Sequence, residues 1–344
     1  MIEIDGSQKS GSGTILRLSI AMAAIKGQPL HITNIRQNRP QPGLKYQHLE
    51  AVLTAAKLCN AEVKGAKLGS RELWFTPREI EGGNIEAVIE TAGSIPLLLL
   101  TTLPICLFAK KPVQIHVAKG GTDTTHAPTI NYMRNVLLPT LKGVGVIGEI
   151  SVQKYGYYPT GMGEVTMTVE RNPNLKPVVL VSYGKLKGIR GISVCTFLAD
   201  RQVAERQAKA AHNLLTQNGF KADIQVKNDK SNPLQKGSSI VLWAETDTGR
   251  IVGADSIGQL RKMAEDVGKE AAQNLINELH TEPTIDVFLA DMLIPYMALA
   301  EGKSATLTRT ISAHIESNIW LMEKMLNVNF TIEKVNNLYR IEKS

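Results

Sequence analysis

One histidine stands at the predicted start of a helix, where it could act as a nucleophile. Ser312 is a good N-cap for the apolar-periodic segment that follows it, so His314 falls in the first helical turn. A helix N-terminus carries partial positive charge, which keeps an imidazole neutral and favours an attached phosphate anion. The sequence therefore predicts phosphoryl chemistry at His314; the alternative is an ordinary surface or core histidine.

Three arginines, Arg17, Arg36 and Arg39, lie near the openings of predicted elements in the first part of the chain. Guanidinium forks match the oxygens of phosphate groups, so these side chains predict an anion site. The alternative for each is a solvated charge. The formal net charge of +7 favours anionic partners, and the lack of a long Lys/Arg run indicates a folded contact surface rather than a tail.

Length and composition set the broad class of the protein. A chain of 344 residues is long enough for two domains or one large repeated domain. No apolar run reaches the roughly 18 residues needed to span a bilayer, and the first residues do not resemble a signal peptide. The three cysteines are far apart, which argues against a zinc cluster or a disulfide framework. We expect a cytoplasmic protein that does not bind a membrane.

One pattern of strands and helices occurs three times. Residues 2–76 give strand, helix, strand, helix and two strands, and residues 85–170 repeat this order after a step of about 80 residues. A third copy starts with a strand at 178–183 and resumes only at 286–341. The sequence predicts an α+β fold of three βαβαββ repeats, with helices on one face of a mixed sheet.

The third repeat is interrupted by a segment with its own strands and helices. Insertions are tolerated at surface loops between elements, so we expect a smaller α/β domain set into the third repeat. The predicted division is a repeated catalytic domain at 1–184 and 280–344 and an inserted domain at 185–279. We expect the inserted domain to be dispensable for chemistry at His314.

Common nucleotide and hydrolase motifs are absent. The chain has no G-x-x-x-x-G-K-[ST] loop, and the glycines at Gly11 and Gly13 lack the third glycine of the dinucleotide fingerprint. It also has no H-E-x-x-H, C-x-x-C or G-x-S-x-G motif. Any ATP site must be of another kind.

Several segments together resemble the RNA 3′-terminal phosphate cyclase family in its archaeal and bacterial form. The resemblance covers the whole chain, inserted segment included. The segments are residues 5–17, 35–49, 119–123 and 156–163, the run Phe288-Leu289-Ala290-Asp291 with 297–300, and Ser312-Ala313-His314.

The resemblance implies a ligase reaction that consumes ATP. A histidine is adenylated with loss of pyrophosphate, and the AMP passes to the RNA 3′-phosphate. The neighbouring 2′-hydroxyl then displaces AMP and leaves a 2′,3′-cyclic phosphodiester. A phosphate monoester has no good leaving group, and adenylation supplies one. The covalent histidine intermediate divides the difficult reaction into easier steps. RNA 3′ ends are the implied partner, and ATP with Mg²⁺ or Mn²⁺ the implied cofactors.

The resemblance also implies roles for individual residues. His314 is the implied site of adenylation. The implied ATP-binding residues are Leu100, Phe288, Leu289, Ala290, Asp291 and Met292. The implied ligands of the RNA phosphate are Arg17, Arg36, Arg39, Gln47 and His48. An aromatic ring such as Phe288 can stack on adenine. Asp291 could orient the histidine, bind ribose, or simply be an acid near a helix N-terminus.

Three positions depart from the family pattern. Ser10 stands where the family usually has a metal-binding glutamate, and a serine lacks the charge that a hard divalent cation favours. Leu100 and Met292 stand where the family commonly has glutamines, the first of them facing ATP. The metal ligands and the choice of nucleotide are therefore open.

Two other functions compete with cyclisation. A eukaryotic relative of the family serves in ribosome assembly without cyclising RNA ends, and a non-catalytic RNA-binding role of that kind is the alternative function. Because that relative lacks the histidine, His314 favours an enzyme. An enolpyruvyl transferase uses similar repeats, but it has six of them in two equal halves, which three repeats and an unlike insert do not match.

Overall fold

The computed structural model describes residues 1–344, and its first repeat has the predicted order of elements. These are β1 (Ile2–Asp5), α1 (Gly13–Lys26), β2 (Leu30–Thr33), α2 (Tyr46–Cys59), β3 (Glu62–Lys64) and β4 (Leu73–Thr76). The strands form a sheet in the order β1-β2-β4-β3, in which β1 and β2 are parallel and the other neighbours antiparallel. Gly27 ends α1 in the left-handed conformation that glycine adopts at little cost.

The second repeat has the same topology with one irregular helix. Its elements are β5 (Gly83–Val88), α3 (Ile95–Cys106), β6 (Val113–Ala118), α4 (Ile130–Tyr132), a π-helical turn (Met133–Leu137), α5 (Leu138–Lys142), β7 (Gly148–Lys154) and β8 (Glu164–Val169). The sheet order is β5-β6-β8-β7. The sequence predicted one regular helix over 131–141. The structure instead has a π-helical turn that ends two residues before Pro139, a residue that cannot donate a backbone hydrogen bond.

The third repeat is split around the inserted segment. It begins with β9 (Val179–Leu180). The insert contains β10 (Leu186–Thr196), α6 (Val203–Gln217), β11 (Ala222–Asp229), β12 (Gly237–Thr246), β13 (Ile251–Ile257) and α7 (Ala264–Leu279). The repeat resumes with α8 (Val287–Leu299), β14 (Ser304–Thr308), α9 (Ala313–Leu326), β15 (Phe330–Val335) and β16 (Leu338–Lys343).

The third sheet has the order β9-β14-β16-β15, equivalent to the sheets of the first two repeats. Its first strand is shorter than the predicted 178–183, because only two of its residues pair with β14 before the chain leaves for the insert. The insert forms a separate sheet in the order β11-β10-β12-β13, and α6 and α7 pack on it. The predicted α+β fold class is confirmed.

The helices of the three repeats pack against one another and share one apolar core. Helix α1 contacts α2, α3 and α9, and α8 contacts α9. A second, smaller apolar cluster lies wholly within residues 189–279, under the sheet of the insert. The division of the chain into two domains stays a prediction. No helix is long and apolar enough to cross a membrane.

Equivalent helices begin with equivalent caps. The first helix of each repeat starts after a residue whose side chain accepts a hydrogen bond from the first turn: Ser12, Ser94 and Asp286. Ser312 caps α9 in the same way, and its hydroxyl accepts from Ile315 N at 3.1 Å. The predicted cap and the position of His314 as the second residue of α9 agree with the structure.

Asp286 is the cap that joins the insert to the repeats. Its carboxylate is buried and accepts from the backbone of Phe288 at 3.1 Å and of Leu289 at 2.9 Å. It also accepts from the hydroxyl of Tyr132 at 2.7 Å and from Gly253 N, on β13, at 2.9 Å. One side chain therefore fixes α8, the second repeat and the insert relative to one another.

Replacing Asp286 with Ala should lower the free energy of unfolding by about 2–4 kcal/mol, because four donors, three of them in buried hydrogen bonds, lose their acceptor. Urea denaturation followed by circular dichroism measures the change. Asp223→Ala, at an exposed position of β11, is the matched control and should change stability by less than about 0.5 kcal/mol. Equal effects of the two substitutions would show that Asp286 does not join these parts.

Candidate functional site

A cavity of about 520 Å³ opens where helices of all three repeats meet the insert. It is lined from the first repeat by α1 and from the second by α3, Tyr132 and the loop 124–128. Helices α8 and α9 line it from the third repeat, and β13 and the segments after it line it from the insert. Of the predicted residues, those in its wall are Arg17, Leu100, Phe288, Asp291, Met292 and His314.

His314 is half-buried in the cavity wall, in the first turn of α9. Burial is the main cause that lowers the pKa of its imidazole, and the positive charges of Arg17 and Arg39 lower that pKa further. The ring is therefore neutral at physiological pH and keeps a free lone pair. A neutral imidazole at a helix N-terminus can act as a nucleophile toward an electrophilic phosphorus.

Arg17 and Asp291 face the same part of the cavity from α1 and α8. Burial lowers the pKa of the Arg17 guanidinium to about 10, which leaves it charged, and Asp291 opposes that shift. Burial raises the pKa of Asp291 to about 7, while Arg17 lowers it. The pair places a fixed positive charge and a carboxyl group that titrates near neutral pH within the cavity that holds His314.

Asn318 connects this carboxyl group to the helix of His314. Its side-chain nitrogen donates to the Asp291 carboxylate and, at 3.0 Å, to the Asp291 backbone oxygen. Its side-chain oxygen accepts from the Thr14 hydroxyl at 3.1 Å. Asn318 was not among the predicted site residues, although its spacing of four residues from His314 indicates the same helix face.

The run implied as ATP-binding is divided by the geometry of α8. Phe288, Asp291 and Met292 lie on the face that lines the cavity, in keeping with helical spacing of three and four residues. Leu289 and Ala290 point the other way and are completely buried in the apolar core. The contiguous motif therefore contributes three cavity residues and two packing residues.

The apolar wall of the cavity comes from α3 and α8. Leu100 lies in it beside Leu97 and Pro104, across from Met292 and the strongly exposed ring of Phe288. The side chains of Leu100 and Met292 can neither donate a hydrogen bond nor carry charge, so this part of the wall offers mainly dispersion and stacking contacts. Such a surface suits the face of a planar base.

Arg36 and Arg39 lie in the loop between β2 and α2, outside the cavity wall. Arg36 is buried, and its Nη1 donates to the backbone oxygens of Gln41 at 2.9 Å and Gly43 at 2.7 Å. Arg36 therefore shapes the loop. Arg39 is exposed, and its charge is close enough to His314 to lower the histidine pKa.

Gln47 and His48 sit at the start of α2, outside the cavity wall. The Gln47 Oε1 accepts from Ser94 N at 2.7 Å and so ties α2 to the start of α3. His48 is buried and its Nδ1 has no hydrogen-bond partner. Burial, then Arg17 and Arg36, hold the pKa of His48 well below its usual value.

Gly13 makes room for this group of polar side chains. A Cβ at Gly13 would stand 2.4 Å from the His48 Nε2 and 2.9 Å from the Arg17 Nη1. Any larger residue would push these two side chains apart. The glycine therefore lets a neutral imidazole and a guanidinium meet at the start of α1.

Ser10 lies in the loop before α1 and contacts α9. Its backbone nitrogen donates to the Ser317 hydroxyl at 3.1 Å, and its own hydroxyl lies 3.0 Å from that of Ser12. No group of three or more His, Cys, Asp or Glu side chains converges to hold a metal ion anywhere in the chain. The residues present do not fit a divalent cation held by protein ligands alone.

The insert supplies six of the 25 lining residues, which the sequence analysis did not foresee. They are Asp255, Ser256, Ile257, Gln259, Lys262 and Glu270. The Asp255 carboxylate accepts from Thr129 N at 2.7 Å and holds β13 beside the loop 124–128. No local pattern marks these residues, because the contact joins segments more than 100 residues apart in the chain.

Removal of a nearby positive charge should raise the pKa of His314. Arg39→Ala removes one such charge without altering the cavity wall. Without that charge the imidazole is easier to protonate, so its pKa rises. NMR titration of the His314 ring measures this shift. Arg171→Ala, which removes an exposed arginine, should leave the titration unchanged. A downward shift with Arg39→Ala would contradict the electrostatic account.

Comparison with known proteins identifies the family. The profile of the family described as RNA 3′-terminal phosphate cyclase matches residues 8–332. An RNA 3′-terminal phosphate cyclase of Pyrobaculum aerophilum is 45% identical over 99% of this chain and 97% of its own length. The protein of that name from Methanopyrus kandleri is 41% identical over 96% of this chain and 95% of its own length. The one from Methanosarcina barkeri is 42% identical over the full length of both chains, 100% of each. The chain belongs to the RNA 3′-terminal phosphate cyclase family.

Proposed function

We propose that this protein converts the 3′-terminal phosphate of RNA to a 2′,3′-cyclic phosphodiester at the expense of ATP, through AMP attached to His314. The observation that carries the proposal is a neutral, half-buried histidine at a helix N-terminus, in a cavity that also holds Arg17 and an exposed aromatic ring. The relatives' name, RNA 3′-terminal phosphate cyclase, supplies the substrate class.

The first step uses the lone pair of His314. A ring nitrogen attacks the α-phosphorus of ATP, a P–N bond forms, the P–O bond to the leaving group breaks and pyrophosphate departs. Phe288 and Leu100 offer the base an apolar surface, and Arg17 offers the phosphates a positive charge. The low pKa of His314 keeps the nucleophile unprotonated at neutral pH.

The second and third steps take place on the RNA end. An oxygen of the RNA 3′-phosphate attacks the phosphorus bound to His314, so the P–N bond breaks and AMP is transferred. The 2′-hydroxyl then loses its proton and attacks the RNA phosphorus, and AMP leaves as the cyclic ester closes. In this proposal Arg39 binds the incoming RNA phosphate; its exposed side chain and its electrostatic effect on His314 support that role.

A divalent cation belongs to the proposal as a companion of ATP. Because the protein offers no cluster of metal ligands, Mg²⁺ or Mn²⁺ would be held chiefly by phosphate oxygens and water, which Mg²⁺ often prefers. Ser10 would contribute no charge to its binding.

His314→Ala should abolish transfer of label from α-labelled ATP to the protein, because no other neutral imidazole lies in the first turn of α9. Mass spectrometry after incubation with ATP and Mg²⁺ should show an added AMP on the unsubstituted protein only. His212→Ala, an exposed position on α6, is the control and should label fully. Labelling of the His314→Ala protein would refute the assignment, and an unlabelled parent protein would favour a non-catalytic, RNA-binding role.

Arg39→Ala should spare AMP attachment but slow its transfer to RNA by about tenfold or more, since one charge-assisted contact to phosphate is lost. Single-turnover chase of the pre-labelled protein with a 3′-phosphorylated oligonucleotide measures the transfer. The exposed Arg171 again gives the control, and its Ala variant should transfer normally. If Arg39→Ala instead slows both steps equally, Arg39 belongs to the ATP site.

A further inference from the structure

We propose that the inserted segment selects the base of the nucleotide in the cavity, with Gln259 as the residue that reads the base and Lys262 as the residue that positions it. The ligand class is an adenine nucleotide. This inference rests on the proposed function only in taking the cavity to be a nucleotide site.

The two sides of the cavity differ in chemistry. The wall from α3 and α8 is mostly apolar: it presents Leu97, Leu100, Pro104, Phe288, Met292 and Pro295, and its polar members are Asp291 and Tyr296. The wall from the insert presents, besides one isoleucine, only polar and charged side chains: Asp255, Ser256, Gln259, Lys262 and Glu270. A base that lies on the apolar wall makes dispersion and stacking contacts through its face. Its polar edge must then form hydrogen bonds with other residues.

Two hydrogen bonds, one buried and one partly buried, bring the polar wall to the edge of the stacking surface. Asp286 accepts from Gly253 N on β13 at 2.9 Å, and Phe288 is only two residues further along the chain. Asp255, two residues along β13, accepts from Thr129 N at 2.7 Å, beside the loop 124–128. The end of β13 and the segment after it therefore border the space between Phe288 and this loop.

Lys262 is held in place by its own partners. Its Nζ donates to the Glu270 carboxylate and, at 3.2 Å, to the Ser256 hydroxyl. Its backbone nitrogen donates to the Gln259 oxygen at 3.1 Å, and Gly258 N donates to Ser238 O at 2.8 Å. These contacts fix the turn that carries Gln259. Since its charge is already paired with Glu270, Lys262 acts as a positioning residue.

The Gln259 carboxamide is free to bind a base. It is exposed, lines the cavity and makes no side-chain hydrogen bond within the chain. A carboxamide has both a donor and an acceptor, and it matches the paired amino group and ring nitrogen on an adenine edge. Guanine presents an oxygen and reverses part of this pattern. Leu100 and Met292 offer neither group, whereas Gln259 offers both.

Calorimetric titration with ATP and with GTP tests the inference. Every protein in the experiment carries His314→Ala, so that only binding and no covalent step is measured. In this background Gln259→Ala should lower the ratio of the GTP to the ATP dissociation constant by about tenfold, the effect of one lost hydrogen bond. Lys262→Met should lower the ratio by a smaller factor, and Lys262→Arg should restore it. Gln217→Ala and Lys269→Met, elsewhere on the insert, should leave it unchanged.

The outcomes separate this inference from the proposed function. An unchanged ratio in Gln259→Ala, or no binding of ATP to the parent, would overturn base selection by the insert. If the ratio falls but the protein with His314 intact never acquires AMP, the proposed reaction fails and the inference stands. If AMP is acquired and the ratio does not respond to Gln259→Ala, the reaction stands and the inference fails.

Discussion

The buried carboxamide of Asn318 fixes the distances on which the site depends. It lies on α9 one turn after His314, accepts from Thr14 on α1 and donates twice to Asp291 on α8. Both ends of the amide are used, so the side chain can be satisfied in only one orientation. A leucine of similar size would leave the Thr14 hydroxyl and the Asp291 carboxyl without these partners, at a cost in buried polar groups. The first and third repeats are therefore held in one relative position around the cavity.

The electrostatic design of the site combines uncharged imidazoles with permanent positive charge. His48 and His314 both have lowered pKa values, in each case first through burial and then through Arg17. Arginine keeps its charge even in surroundings that lower its pKa to about 10. The site therefore combines a fixed positive charge, which suits an anionic ligand, with nitrogen lone pairs that stay free of protons. Burial is the main cause that disfavours protonation of the two histidines, and the positive charge of Arg17 adds to it.

Local pattern was enough to predict the repeats and the helix that carries His314. The signals for these features are local in the sequence: the alternation of strands and helices, the apolar periodicity and the cap at Ser312. Each lies within a few residues of the element that it predicts. The contiguous implied ATP motif was less informative, because helical geometry turns Leu289 and Ala290 into the core. Helical spacing alone would have separated the two faces.

The contacts across the seam with the insert could not be predicted in this way. Asp286 looks like an ordinary helix cap in the sequence, and its bond to Gly253 depends on two distant segments meeting in space. Gln259 and Lys262 are part of no recognisable sequence motif. They line the cavity because β13 lies beside the loop 124–128. The expectation that the insert is dispensable for chemistry at His314 followed from motifs alone, and it stays a prediction. The insert nevertheless lines the cavity that holds His314.

The three equivalent helix caps give the molecule an internal symmetry. The fifth residue after the cap of the first helix is Arg17 in the first repeat, Leu99 in the second and Asp291 in the third. In the same way, the second residue of α2 is Gln47 and the second residue of α9 is His314. The backbone thus offers each functional position more than once, but reactive side chains occupy only some of the copies. A triplicated scaffold of this kind can be reduced to a single reactive centre by side-chain replacement alone, with every strand and helix left in place.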